Sequence, residues 1–550
     1  MRSVYWCEKC NVPLLSLVCE NCGSNGERVV ADLKPVFGLE REYIASQIDR
    51  PLLLDLPLPL LWMRNKTLYY KGKHHIRLSV DDDRLVLVRE YDDTKESVVN
   101  LPSNKIIIRA NKTSLRHLER EAIDFVRNTV SELHDRVPIV SFSGGKDSAV
   151  VSHLVRKALG RDDVAHVFAD TTIEYPDTYD YVDQFCRKNP KIPFEVARAE
   201  RDWFEMCDCL EPPSRILRWC CTVFKSSPLA KALNIIGDSS GILNFEGLRR
   251  CESNRRRKAQ RIYKSKKIAH QISAEPILEW SDLAVWLYLL TNRIEYNRAY
   301  DRGFARVGCL FCPYNNRYSE LIMESSFFEQ RLGDSRYSKK IKPWKDYLLA
   351  YARKRGKEDA ETYVAQGVWK ARAGTEDIHL SAGQLARHPG VCGGEVENEY
   401  NLSKPVTTTL YDMFKPLGIL SQLSHKDLGI FTVHQYIPGK NGQRVNGQPL
   451  FQFQAIPGWT RVRVTILANK GKYLLRQRIE KQLKRFQACV ECGGCVGACP
   501  TGAITCGSPL QISDEKCRRC GLCYSSKIIK YGCITLHSRS MSKKYLAEKV

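Results

Sequence analysis

The chain is 550 residues long, 43% hydrophobic and 27% charged, a globular mixture that excludes disordered and fibrous classes and predicts about three to five domains. The formal charge of +23 points to a polyanionic partner. The longest apolar run, residues 51–63, is broken by Asp55 and by prolines. The opening "MRSVYWCEKC" shows no apolar signal segment, so a cytoplasmic protein without a membrane partner is expected.

Twenty-two cysteines in such a chain are expected to hold metals rather than disulfides. Cys7, Cys10, Cys19 and Cys22 form two C-x2-C pairs, the pattern of a zinc ribbon over residues 1–30. Residues 31–115 read as a small β-rich module, with "TLYYKGKHHIRLSV" and "RLVLVREY" as strands. A helix around residues 115–133 then leads into an apolar strand, a Gly-rich turn and an amphipathic helix, which open an α/β unit. "VAHVFAD" and "GILNFEG" read as further parallel strands, and "SDLAVWLYLLTNR" as a helix with Ser281 as its N-cap. Residues 321–485 are basic and helical at first, then β-rich, and end in the basic helix "KYLLRQRIEKQLKRF". Residues 486–550 are dense in cysteine.

The Gly-rich turn is "SFSGGKDS", residues 141–148. Backbone N–H groups at a helix N-terminus make a concave anion site. Gly144 and Gly145 permit close backbone approach, Lys146 supplies charge, and Ser141, Ser143 and Ser148 supply hydroxyls. The spacing is not the Walker pattern. It resembles the PP-loop of ATP pyrophosphatases, which split ATP between the α- and β-phosphates to adenylate a substrate. That resemblance implies nucleotide binding by residues 141 and 143–148 with Mg2+, and catalytic roles for Lys146, Asp147 and Ser148.

In the tail, Cys489, Cys492, Cys495 and Cys499 follow C-x2-C-x2-C-x3-C-P, the bacterial ferredoxin spacing in which the fourth cysteine serves the other cluster. A second run holds Cys517, Cys520 and Cys523. Lys527 stands where the pattern expects the next cysteine, so Cys533 is the substitute, with Cys506 a weaker alternative. By this resemblance to dicluster ferredoxins, one [4Fe–4S] cluster takes Cys489, Cys492, Cys495 and Cys533, and the other Cys517, Cys520, Cys523 and Cys499.

Cys220 and Cys221 are adjacent, and Cys309 and Cys312 form a later C-x2-C. With "FADTTIEYPDT", "GLRRCESNRRR" and "PILEWSDLAVWLYLL", they make residues 116–320 resemble the phosphoadenylylsulfate (PAPS) reductase family. The resemblance implies a third [4Fe–4S] cluster on Cys220, Cys221, Cys309 and Cys312. It also implies an adenine site at Asp170 and Thr171, and phosphate or sulfate contacts from Arg249 and Arg250. Three clusters and one zinc would lower the charge balance to roughly +15, since bound thiols ionise.

Two departures from the family matter. Lys146 and Asp147 complete an SGGKDS that activated-sulfate reductases usually lack, and the family's C-terminal Glu-Cys-Gly-Leu-His tail is absent from the sequence. The expected fold is therefore an α/β PP-loop parallel-sheet domain with a zinc ribbon, a β-rich module and a C-terminal dicluster ferredoxin. The first functional expectation is ATP-dependent adenylation and sulfur insertion on a nucleic acid or nucleotide. The alternative is reduction of adenylylsulfate or PAPS to sulfite with electrons from the fused ferredoxin. RNA and an electron-donor protein are the expected partners, with RNA argued from charge alone; residues 249–267 hold ten Lys or Arg against one acid. Cys251 lies among these arginines, which lower a thiol's pKa, with inert packing of the thiol as the weightier alternative. The oligomeric state is not legible.

Overall fold

The computed structural model describes residues 3–50, 61–81, 84–91, 103–237, 240–254, 256–265, 268, 270–371, 385–389, 397–422, 429–438, 444–507, 509–525 and 533–536. Most of the apolar run at 51–63, and Lys527, lie outside them. Among the described residues no helix is long and apolar enough to cross a membrane. The chain forms two compact units: residues 1–196, 239–264 and 271–368 make the first, and 197–238, 265–270 and 369–550 the second.

The first unit opens with an antiparallel sheet of β1 (Val4–Cys7), β2 (Val12–Leu14) and β3 (Glu27–Val30), in the order β2-β1-β3. Next come β4 (Lys34–Pro35), helix α1 (Gly38–Ile48), and a meander of β5 (Leu61–Arg64), β6 (Thr67–Tyr70), β7 (Lys73–Asp81) and β8 (Arg84–Glu90). The β5–β6 turn is two residues long, closed by the Arg64↔Thr67 pair, with Asn65 at φ 48° and Lys66 at φ 65°. Two successive left-handed residues give the turn a twist that matches its strands.

Helix α2 (Lys112–Glu132) buries Leu115, Leu118, Ala122 and Val126 at i, i+3, i+4 spacing and leads to the central sheet. That sheet comprises β9 (Val137–Ser141), β10 (Ala165–Asp170), β11 (Phe194–Arg198), β12 (Ile242–Phe245), β13 (Ile262–Lys264) and β14 (Gln271–Ala274) in the order β11-β10-β9-β12-β14-β13. Strands β10, β9, β12 and β14 run parallel, while β13 is antiparallel to β14. Helices α3 (Lys146–Leu159) and α4 (Pro176–Lys188) follow β9 and β10, and α5 (Asp282–Asn292) follows β14. The core between sheet and helices includes Val140, Val150, Leu154, Leu243 and Val285, each fully buried. Each such side chain contributes about 1.5–3 kcal/mol. From β9 the chain proceeds to β10 on one side and later returns to β12 on the other. This is a topological switch point, and ligands of open α/β sheets bind beyond the carboxyl ends of strands there.

The second unit contains the helices Trp203–Leu210 and Ser227–Gly237, joined through the turn Trp219–Cys221 and a π-turn, Thr222–Ser226. It also contains an antiparallel six-stranded sheet: β15 (Ala386–Pro389), β16 (Glu397–Asn401), β17 (Ile419–Gln422), β18 (Ile430–Pro438), β19 (Arg444–Gln454) and β20 (Arg461–Ile466), in the order β15-β16-β20-β19-β18-β17. Helix α6 (Lys472–Ala488) and the hairpin of β21 (Ile504–Cys506) and β22 (Leu510–Ile512) complete it. Val433, Phe451 and Phe453 of the sheet, Ile479 and Phe486 of α6, and Ile504 share one core, so the described cysteine-bearing segment from residue 489 to 524 folds onto this sheet.

Candidate functional site

The carboxyl ends of β9, β12 and β14 bring together four charged side chains. Lys146 begins α3 and is 2% exposed; its Nζ lies 3.0 Å from Asp147 Oδ2 and 3.1 Å from Asp282 Oδ1. Arg249, from the loop after β12, places Nε 2.7 Å from Asp147 Oδ1 and Nη2 2.8 Å from Asp282 Oδ1. Two buried cations and two carboxylates thus alternate in a closed square. Burial pushes the Lys146 ammonium down, but Asp147 and Asp282 outweigh it and hold its pKa above the usual lysine value. Burial likewise raises the Asp282 carboxyl, and Lys146 and Arg249 pull it below its ordinary range. Lys146, Arg249 and Asp282 are therefore charged at neutral pH.

The glycines in the loop have steric reasons. Gly144 sits at φ +70°, and a Cβ there would meet Thr178 Cγ2 at 2.8 Å. Gly145 is the N-cap of α3 without a side-chain cap, which leaves first-turn N–H groups to meet an anion. The Ser148 hydroxyl donates to the Gly145 carbonyl at 2.8 Å and accepts from the Ser143 hydroxyl at 3.3 Å. Asn297 Nδ2 donates to the Gly144 carbonyl at 3.0 Å, and the Lys146 N–H donates to Tyr300 Oη at 3.1 Å.

Several of these partners are not singled out by the sequence. Asp282, Asn297 and Tyr300 lie far beyond the loop in sequence; Asp282 carries the one local signal, an acid in the first turn after the N-cap Ser281, which accepts from the Ala284 N–H at 3.1 Å. Gly247 is a fourth: a Cβ there would meet the Asp147 backbone carbon at 2.9 Å.

Asp170 ends β10 and Thr171 follows it. Asp170 Oδ1 accepts from the Thr172 N–H at 2.7 Å and the Tyr179 hydroxyl at 2.9 Å. Thr171 Oγ1 donates to Glu174 Oε1 at 2.7 Å and lies 3.4 Å from Cys309 Sγ. The Leu310 N–H donates to the Ile173 carbonyl at 2.7 Å, so the turn bearing Cys309 and Cys312 is fastened to the β10 loop. Ser141 closes β9, and Arg250 donates to the Ala259 carbonyl and pairs with Glu279. Cys251 departs from the arginine-based expectation. Burial raises its thiol pKa by more than Arg249 lowers it, although the Arg249 guanidinium reaches its Sγ at 3.2 Å.

The ligand atoms of Cys7, Cys10, Cys19 and Cys22 all lie within 4.8 Å of one another. The Cys10 N–H and Asn21 Nδ2 donate to Cys7 and Cys10 sulfurs at 3.4 and 3.3 Å. Hydrogen bonds from Ser24 lower the Cys22 pKa to about 6. Four converging sulfurs with N–H donors fit a tetrahedral zinc.

In the second unit, Cys489, Cys492, Cys495 and Cys533 line one cavity, with Cys506 also on its wall. Cys517 and Cys523 each lie within electrostatic range of Cys499 and Cys520, and Cys523 of Cys517. The structure therefore separates the tail cysteines into two groups. Arg485 of α6 is buried, lines the first cavity, and faces Cys523 as well as Cys495, Cys533 and Cys489. Thiol-lined walls with a buried guanidinium fit an anionic sulfur-ligated cluster.

Residues 137–315 match the model of the phosphoadenosine phosphosulfate reductase domain. The chain carries a PAPS reductase domain. Residues 485–505 match the 4Fe-4S binding domain, so the chain carries a 4Fe-4S binding segment there. The chain is 34% identical over 280 residues to an uncharacterized protein of Methanocaldococcus jannaschii, covering 51% of this chain and 54% of that protein. It is 27% identical over 176 residues to the adenosine 5'-phosphosulfate reductase of Staphylococcus epidermidis, covering 32% of this chain and 69% of the relative. It spans about half the length of the two M. jannaschii relatives it matches. Among solved structures, PAPS reductase from Candida auris in its phosphate complex aligns with a TM-score of 0.28 and 17% identity, over 36% of this chain and 95% of that one.

Proposed function

We propose that this PAPS-reductase-domain protein reduces an adenylylated sulfate, adenylylsulfate or its 3'-phosphorylated form, to sulfite and the corresponding adenosine nucleotide. The observation that carries this reading lies in the second unit. The helix Ser227–Gly237, six residues beyond Cys221, packs on the first ferredoxin turn. A Cβ at Gly497 would touch Ser227 Cα at 3.4 Å, and the Ser227 hydroxyl donates to the Gly493 carbonyl. The Cys220–Cys221 segment and the tail cysteines thus belong to one folded body, an arrangement suited to delivering electrons. Iron–sulfur clusters, when bound there, supply those electrons one at a time.

In the reaction the bridging S–O bond breaks, sulfur gains two electrons and leaves as sulfite, and the nucleotide keeps the bridging oxygen. The first turn of α3 offers its N–H groups and positive pole to the nucleotide's phosphate, and Lys146 and Arg249, held by Asp147 and Asp282, fix the loop that carries it. The reading is tested anaerobically by reducing the protein with titanium(III) citrate, a reductant that contains no sulfur, supplying adenylylsulfate or PAPS, and measuring sulfite. Sulfite formed in proportion to nucleotide consumed is expected; none from either substrate rejects the reading.

A second reading, ATP-dependent adenylation and sulfur insertion on a nucleic acid, is favoured by the complete SGGKDS with Lys146. Its signature is AMP and pyrophosphate from ATP only when RNA is present.

A further inference from the structure

The charged square at Lys146 opens into a cleft of about 1040 Å³, larger than the roughly 300–1,000 Å³ that encloses a typical small ligand. The far wall lies outside the PAPS reductase domain. It is made by the β3–β4 loop and the tip of the β5–β6 hairpin, residues 63–66. Nine lysines and arginines line the cleft against four carboxylates.

Part of this charge is already neutralised. Lys146 and Arg249 share Asp147 and Asp282, Lys34 pairs with Glu40 at 2.8 Å, and Arg250 pairs with Glu279. Arg64, Lys66, Arg257 and Arg306 have no carboxylate at ion-pair distance among the described residues. Arg64 and Lys66 are half-buried, so their charges are partly removed from water without compensation. The left-handed turn at Asn65 and Lys66 fixes the hairpin tip. The tip presents its cations from a rigid element.

We infer that Arg64 and Lys66, with Arg257 and Arg306, form a second phosphate subsite in this cleft, apart from the phosphate held at the PP-loop. The inference rests on the nucleotide reading of the Lys146 site and assigns what the far wall does. The ligand chemistry is a phosphate at a fixed distance from the nucleotide's 5' end. Its source is either the 3'-phosphate of a bisphosphorylated adenosine or a phosphodiester of a single-stranded polynucleotide.

The experiment compares the affinities of the full-length protein for AMP, adenosine 3',5'-bisphosphate and a short oligouridylate. Variants are Arg64→Gln/Lys66→Asn, in which asparagine tolerates the left-handed backbone, and, on a different segment, Arg306→Gln. The wild type is expected to bind the bisphosphate about tenfold tighter than AMP, as for one charge-assisted contact, and the ratio should fall toward one in both variants. A preference confined to the oligouridylate, and lost in both variants, supports the subsite with a phosphodiester as its source. If AMP binds but neither other ligand is preferred, or if the preference survives in both variants, the subsite is wrong and the nucleotide site stands. If AMP does not bind at all, the nucleotide reading itself fails, and the subsite fails with it.

Discussion

Asp32 caps helix α5 from 250 residues away: its Oδ2 accepts the Asp282 N–H at 2.7 Å, and its Oδ1 accepts the Leu283 N–H at 3.1 Å. The first turn of α5 thus has two of its unsatisfied donors filled by the β3–β4 loop, beside the Ser281 hydroxyl that fills a third. The β-rich module is thereby tied to the helix that supplies Asp282 to the charged square. Asp32→Ala is expected to cost about 1–2 kcal/mol of stability and to weaken nucleotide affinity. Asp32→Asn, which retains an acceptor oxygen, should lose less of both. Equal losses in the two variants, by thermal melts and AMP titration, would show that the cap is not what positions Asp282.

Removing Lys146 separates the two proposed reactions. Lys146→Ala leaves Asp147 and Asp282 sharing Arg249 alone, and breaking a buried ion set of this kind costs up to about 3–5 kcal/mol. A reductase should then show a raised KM for adenylylsulfate or PAPS with kcat reduced less. An adenylating enzyme should lose AMP formation from ATP altogether. Steady-state kinetics on both substrates, at a temperature where the variant is folded, decides between them.

Glu275 predicts a pH dependence. It is fully buried and accepts from the Tyr263 hydroxyl and the Leu248 N–H, both at 3.0 Å; burial, and then the neighbouring Glu246 carboxylate, push its pKa well above the ordinary 4.5. In the folded protein it stays protonated where the unfolded chain ionises, so the folded state binds more protons. Its contribution to stability is complete below the ordinary carboxylate pKa and is lost as pH rises toward the raised value. Glu275→Gln should leave Tm at about pH 5 close to wild type and raise it relative to wild type at about pH 9. A Tm difference that does not change with pH would exclude this titration.

What the sequence makes legible is what its neighbours in the chain determine. The loop at 143–148, the Ser281 cap, the meander strands and the paired C-x2-C of Cys7, Cys10, Cys19 and Cys22 all depend on residues a few positions apart. Asp282 and the Arg64 hairpin complete the cleft and Asn297 and Tyr300 brace its loop, all from distant segments, and no periodicity or spacing joins them to Lys146. The grouping of residues 197–238 with the ferredoxin module is of the same kind. Nothing in that segment's composition separates it from the flanking PP-loop strands, whereas the packing of Ser227 on Gly497 does. For Cys251 the neighbours in sequence mislead, because its thiol answers to burial against the Trp280 carbonyl more than to nearby arginines.

The cysteine spacings predict about twelve iron atoms and one zinc per anaerobically prepared chain, from three four-iron clusters and one ribbon site. Cys220→Ala and Cys309→Ala should each remove about four iron. Cys533→Ser should also lose about four, while Cys506→Ser should retain them although both residues line the cavity. The reverse result at positions 506 and 533 would exchange their roles. About eight iron in wild type, with Cys220 and Cys309 dispensable, would remove the cluster assigned to them.

Arg485 predicts how the tail clusters are tuned. Its guanidinium is buried among Cys495, Cys533 and Cys489 of one group and Cys523 of the other, with Gln482 Oε1 accepting at 2.6 Å to fix its orientation. A fixed positive charge in a low-dielectric interior favours the more negative, reduced state of a neighbouring cluster, so it raises the potential at both sites. Arg485→Met should lower both midpoint potentials. A tenfold fall in the reduced fraction at fixed poise corresponds to about 59 mV for a one-electron centre. Arg485→Lys, which keeps the charge but not the planar fork, should lie between the two. Redox titration followed by electron paramagnetic resonance, on protein with full iron content, reads this separately from turnover. If both potentials stay in place in both variants, Arg485 is only a packing element of α6. If one moves alone, the arginine serves that cluster rather than linking the pair.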